Sequence, residues 1–230
     1  MTALLWMRLV GFVRTGRAFA PLIAGLVVLG VLYGGGHAQV GEAYGVSAVV
    51  LFPVLAWQSK LLLDAEPDVQ RRLAVVAAGT RRRELAAGLL AAAVAGSVTV
   101  LIGLILPWVV GGVTGPQQAG DLPLGEGIAL GVWAHLLALP AAVALGALAT
   151  RAATGSVRYG VLVLVGGSVA AIVFGMKGSI VPWLVPPLMP TARTLTAEPT
   201  AATVAMLTIQ ALVWSAAALS AYGWMRRTRA

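Results

Sequence analysis

Apolar and polar positions along the chain separate into six long apolar runs, at 18–36, 44–63, 85–112, 127–150, 159–176 and 201–225, divided by shorter polar connections. Each run approaches or exceeds the roughly 20 residues a helix needs to cross a hydrocarbon core of about 30 Å. A transmembrane barrel would alternate apolar and polar residues in segments of about ten, and no such alternation occurs. Helices and closed barrels are the structures that satisfy their own backbone groups in lipid. The pattern therefore predicts an all-α integral membrane protein built as a six-span helical bundle.

The basic residues orient that bundle. Of the 16 Lys and Arg, all but Lys177 and Arg193 fall on the N-terminal arm, around the connections after the second and fourth runs, or on the tail. Lys and Arg flanking a span are retained in the cytoplasm, so both termini are expected inside. Composition agrees, since 59% hydrophobic and 10% charged residues leave too little polar surface for a soluble particle. The net charge of +8 is divided among short connections, which reads as orientation and argues against a nucleic-acid partner. With Cys absent, disulfides, thiolate metal sites and thiol nucleophiles are excluded together. Arg8, Arg14 and Arg17 interrupt the stretch where a cleavable signal would be continuously apolar. The excess of Arg over Lys, with abundant Ala and Gly, points to a GC-rich bacterial source and hence to the inner (plasma) membrane.

The polar connections add detail. In residues 1–17, Leu5, Trp6, Leu9, Phe12 and Val13 share one helical arc, with Arg8, Gly11 and Thr15 opposite. This predicts an interfacial amphipathic helix ahead of a transmembrane domain at 18–230. In the connection at 64–84, Pro67 suits a first helical turn and Asp64, Glu66 and Asp68 suit the positive end of its dipole. A short helix carrying Val69, Arg72, Leu73, Val75 and Val76 should follow and break at Gly79. In the fourth run Pro140 predicts a kink, while Ala138, Ala142 and Gly146 form a small-residue ridge that permits close helix approach. The outer element at 177–200 contains an apolar stretch, 179–189, broken by Pro182, Pro186 and Pro187. It is too short to cross, so it should re-enter the outer leaflet or lie on its surface, as a gate or a passive lid over the bundle's mouth, with Trp183 at headgroup depth.

Candidate chemistry is sparse. No carboxylate lies centrally in a run, which disfavours an ion-driven secondary transporter. Gln58, Lys60 and His135 are the polar groups placed to line a substrate path, although Lys60 also suits snorkelling and His135 also suits a hydrogen bond within the bundle. No His-Glu-x-x-His, Gly-x-Ser-x-Gly or phosphate-loop pattern occurs, so no catalytic residue, metal site or ATP site is expected.

The connection Glu66-Pro-Asp-Val-Gln-Arg-Arg-Leu-Ala-Val-Val-Ala-Ala-Gly-Thr-Arg-Arg-Arg-Glu84, the N-terminal helix, the six runs and the broken element before the last run together resemble the permease subunits of ABC-2-type exporters. The chain has Ala78-Gly79-Thr80 where many such permeases have Ser-Pro. The resemblance implies that the 64–84 connection is a coupling helix docking on two copies of a separate ATPase, which carry ATP and Mg. It also implies a second permease chain, identical or homologous, with membrane lipid around both. The chain itself would be no enzyme and hold no cofactor. The cargo would be a hydrophobic or amphipathic compound such as a drug, antibiotic or lipid. The alternatives are a non-transporting membrane anchor or immunity component, a secondary transporter, and an intramembrane enzyme.

Overall fold

The apolar runs fold as helices around a central parallel pair. In a computed structural model, residues 2–118, 120–196 and 198–228 are described, with the side chains at 68 and 72 outside that description. Two helices start the chain, α1 (Thr2–Arg14) and α2 (Phe19–Tyr33). Then come α3 (Val40–Leu63), α4 (Asp68–Ala78), α5 (Arg81–Val109), α6 (Leu124–Leu148), α7 (Arg151–Thr154) and α8 (Val157–Val173). A 3-10 turn at Pro182–Leu184 and the short α9 (Leu188–Thr194) precede α10 (Ala201–Thr228). By length and composition, α3, α5, α6 and α10 can each cross a membrane, and α1 with α2 qualify as one pair bent by 71°.

The first and fifth runs yield helices shorter than the runs themselves. The α2 helix has 15 residues and stops at Gly34. The α8 helix has 17 and ends at Val173, short of Met176. Glycines account for the first stop, because Gly34, Gly35 and Gly36 in succession offer no side chain to pack and Gly36 sits at φ 154°.

The α3 and α6 helices form the centre and are the most buried of the long helices. Small residues set their separation. A Cβ on Gly146 would lie 2.7 Å from Ser59 Cβ and 3.0 Å from the Lys60 backbone nitrogen, and closer still to the Ala56 carbonyl. Ala138 and Ala142 on the same ridge are buried at 1% and 0% exposure, so the ridge is the contact surface. Leu51, Phe52 and Leu55 of α3 fill the core around that contact, while Leu101 and Ile105 of α5, Leu162 and Val165 of α8, and Ile209 and Val213 of α10 are exposed. Small residues at a contact let helix backbones approach closely.

The two ends of the bundle differ. One gathers α1, the 64–84 connection, α7 and the C-terminus of α10, and it is rich in Arg. At the other, strands β1 (Ala38–Gln39) and β2 (Val113–Thr114) pair in parallel, Ala38 with Val113 and Gln39 with Thr114. Beside them His37 Nδ1 meets the Gly111 carbonyl, and Asp121 Oδ2 accepts from the Gln117 and Gln118 amides at 2.7 and 2.9 Å. Those two bonds hold the Asp121 carboxyl below its ordinary range.

Candidate functional site

At the Arg-rich end the chain builds its most structured polar site around α4. Pro67 holds an extended backbone (ψ 153°) and its carbonyl takes the Arg71 amide at 3.0 Å, starting the helix. Gly79 ends it at φ 77°, a left-handed conformation that favours glycine. Thr80 then caps α5 by accepting from the Arg83 amide at 3.2 Å. Between these stops, Val69, Leu73 and Val76 recur at helical spacing on one face and are 71%, 65% and 80% exposed. Ala74 on the other side is buried. Gly79 is exposed and Val75 half-buried, while the Arg72 side chain lies outside the described residues.

Segments before and after α4 are tied to one arginine. Arg8, expected on the polar side of α1, is instead buried and turned into the bundle. Its Nε and Nη2 hold the two Glu66 oxygens at 2.8 and 2.7 Å, a bidentate pair just before α4. Nη2 also donates to Glu84 Oε1 at 2.6 Å and Nη1 to the Glu84 carbonyl at 3.0 Å, at the start of α5. Glu84 Oε2 lies 3.2 Å from Arg226 Nη2 at the end of α10, without hydrogen-bond geometry. Arg226 in turn sits over the Tyr222 ring at 5.8 Å. Burial opposes the Arg8 charge, yet the hydrogen bonds and charges of Glu66 and Glu84 outweigh it, so its pKa is raised. Gly88 makes the room, since a Cβ there would collide with the Arg8 guanidinium.

One signal in the sequence pointed to this cluster: Glu84 is a lone acid heading an apolar run. A second, smaller tie fixes the end of α3. Lys60 Nζ reaches Asp64 Oδ2 at 2.7 Å, and Asp64 Oδ1 accepts the Arg151 amide at 2.9 Å.

The structure does not bring Gln58, Lys60 and His135 together. Gln58 is buried against α5, donating to the Ala95 carbonyl at 3.0 Å and accepting from Thr99 Oγ1 at 2.7 Å. His135 is 1% exposed, with Nδ1 2.8 Å from the Gly131 carbonyl and Nε2 3.2 Å from Ser47 Oγ. Its partner Ser47 precedes Gln58 by eleven residues on α3, a rise of about 16 Å. Gln58 and His135 thus each have a partner across a different helix interface, and Lys60 is paired with Asp64 at the end of its own helix.

The Pro-rich element does fold back into the bundle. Trp214 Nε1, near the middle of α10, donates to the Leu184 carbonyl at 2.9 Å, and Gln210 Nε2 donates to the Pro182 carbonyl at 3.2 Å. Trp214 lies thirteen residues along α10, about 20 Å from its start. The α9 helix then climbs back, and its C-terminal turn lies against Gly41 and Gly45 of α3, whose Cβ atoms would stand 2.5 Å from the Leu195 carbonyl and 2.9 Å from that of Ala192. Pro186 and Pro187 are buried and face Val49, Leu137 and Ala211 across a void of about 10 Å³, whereas Pro182 and Trp183 are exposed. The turn therefore meets the backbone needs that proline creates with side chains of α10.

No protein-family model, curated protein or solved structure matches this chain.

Proposed function

We propose that the chain is a six-span permease, both termini cytoplasmic, of an ATP-driven exporter for a hydrophobic or amphipathic compound. Separate ATPase subunits energise it, α4 receives their motion, and a second permease chain completes the pathway. In this reading α2 and α8 complete the crossings with their flanking turns, and α1 lies in the cytoplasmic interface. The observation that carries the proposal is the stripe of Val69, Leu73 and Val76, left exposed on a helix flanked by Glu66 and Glu84, both of which Arg8 holds. Burying each such side chain yields about 1.5–3 kcal/mol, so a partner's groove is their natural destination. A helix whose flanking segments are so held passes a push to α1, α5 and α10 instead of pivoting freely. The buried half of the Pro-rich element, with Pro186 and Pro187 against α3 and α6, is the part placed to gate the opposite mouth.

The test is co-purification of the tagged chain with its ATPase in mild detergent. Leu73→Asp and Val76→Asp should abolish recovery of the ATPase and its stimulated hydrolysis while membrane insertion continues. Full recovery and full stimulation in both variants would remove α4 from that role. The separate partnering of Gln58, Lys60 and His135 inside the bundle favours one rival, a membrane anchor with no transport cycle. That rival predicts co-purification without stimulated hydrolysis even in the parent chain.

A further inference from the structure

We propose that the groove between α1 and α4 binds one acyl chain of an anionic phospholipid from the leaflet at the Arg-rich end, with the headgroup at Arg14 and Arg17. The inference rests on the membrane placement argued above and adds a specific ligand to it. The groove holds about 510 Å³, within the size range of small-molecule sites. Leu4, Met7 and Gly11 form one wall, and Leu62, Leu73 and Ala77 form the other. Arg8 and Glu66, whose charges are matched with each other, line it too, with Gln70 and Thr15 as its other polar residues.

Three features select a lipid as occupant. The α1 helix exposes Trp6 and Val13, and α2, bent from it by 71°, exposes Phe19, Ile23 and Val27. A helix so equipped lies at the boundary of headgroups and acyl chains, so the groove opens at the depth where lipid tails begin. Its polar rim is Thr15, and Arg14 and Arg17 flank that residue, exposed at the bend between α1 and α2. Basic groups so placed favour anionic headgroups. The groove also touches Leu73 of the exposed α4 stripe, so its lipid would pack beside the surface that α4 presents to a partner.

The experiment is native mass spectrometry of the purified chain, titrated with phosphatidylglycerol or phosphatidylcholine of equal chain length. A Cβ on Gly11 would meet nothing within 4 Å, so Gly11→Leu with Ala77→Leu fills the groove from both walls without a backbone clash at Gly11. The parent should retain one phosphatidylglycerol after looser lipids are stripped. The filled variant should lose that retention by about tenfold, the equivalent of two methylenes displaced from an apolar site. Arg14→Gln with Arg17→Gln should erase the preference over phosphatidylcholine while keeping one bound lipid. Undiminished retention in the filled variant overturns the site, and equal retention of both lipids by the parent overturns the anionic headgroup. Intact lipid binding with loss of ATPase recovery in the filled variant would make the groove a protein dock instead. Failure of the chain to stay in carbonate-washed membranes is a separate result, which would sink the membrane placement itself.

Discussion

Removing Arg8 should unlock the Arg-rich end of the bundle. The perturbation is Arg8→Met, which keeps an apolar stem and deletes four hydrogen bonds: three to the carboxylates of Glu66 and Glu84 and one to the Glu84 backbone carbonyl. The intact cluster of Arg8, Arg226, Glu66 and Glu84 balances two positive against two negative charges. Without Arg8 it holds an excess carboxylate. Breaking a buried ion pair from one side typically costs 3–5 kcal/mol. The Glu66 side chain, at 13% exposure, can turn to solvent, while Glu84 at 1% cannot. The lower end, about 3 kcal/mol, therefore applies. For a chain of this size that lowers Tm by about 6–12 °C.

The second arm of the experiment is Arg8→Met combined with Glu84→Gln, which removes one charge of each sign and leaves Glu66 and Arg226. The double variant should lose less than the two single losses summed, with a coupling of roughly 1–3 kcal/mol. Thermal unfolding of the purified chain in detergent, followed by tryptophan fluorescence, reads both quantities. An Arg8→Met shift below about 2 °C, or strict additivity across the cycle, would refute the argument that this arginine is paired inside the bundle.

Other expectations follow from particular contacts. Gly146→Ala should separate α3 from α6, because the new methyl meets backbone that cannot turn aside; a loss of about 1–3 kcal/mol is expected, read from the same unfolding curves. Asp121 is held below 3.8 by the Gln117 and Gln118 amides, so its ordering of the loop is complete above that value and lost as pH falls through the lower folded pKa. Protection of those two amides, measured against their intrinsic exchange at each pH, should fall on acidification below 3.8, and Asp121→Asn should show the lower protection already at neutral pH. For orientation, Gln117→Cys and Thr196→Cys should react with an impermeant thiol reagent in intact cells and Gln70→Cys should not, with no background since Cys is absent.

The sequence by itself determined the helical elements. Apolar run length is a local property, so α2, α3, α5, α6, α8 and α10 each fall within or around one run, and the local signals of Pro67 and Gly79 bound α4. The small-residue ridge Ala138, Ala142 and Gly146 was legible for the same reason, as a spacing along one helix. What only the tertiary structure decided is which faces meet. Helices that are apolar all round carry almost no polarity contrast, so hydropathy cannot say that α3 and α6 take the centre. Arg8 shows the cost of that limit. Judged alone on α1, an arginine belongs on the wet side, because burying its charge is prohibitive. Only the arrival of Glu66 and Glu84, from residues 58 and 76 positions away, and the space left at Gly88 turn the same side chain inward. Likewise the prolines at 182, 186 and 187 forbid a continuous helix, but the depth of their turn was set by Gln210 and Trp214 on a helix that follows later in the chain. Partners distant in sequence, supplying charge or hydrogen bonds where lipid supplies none, decided those placements.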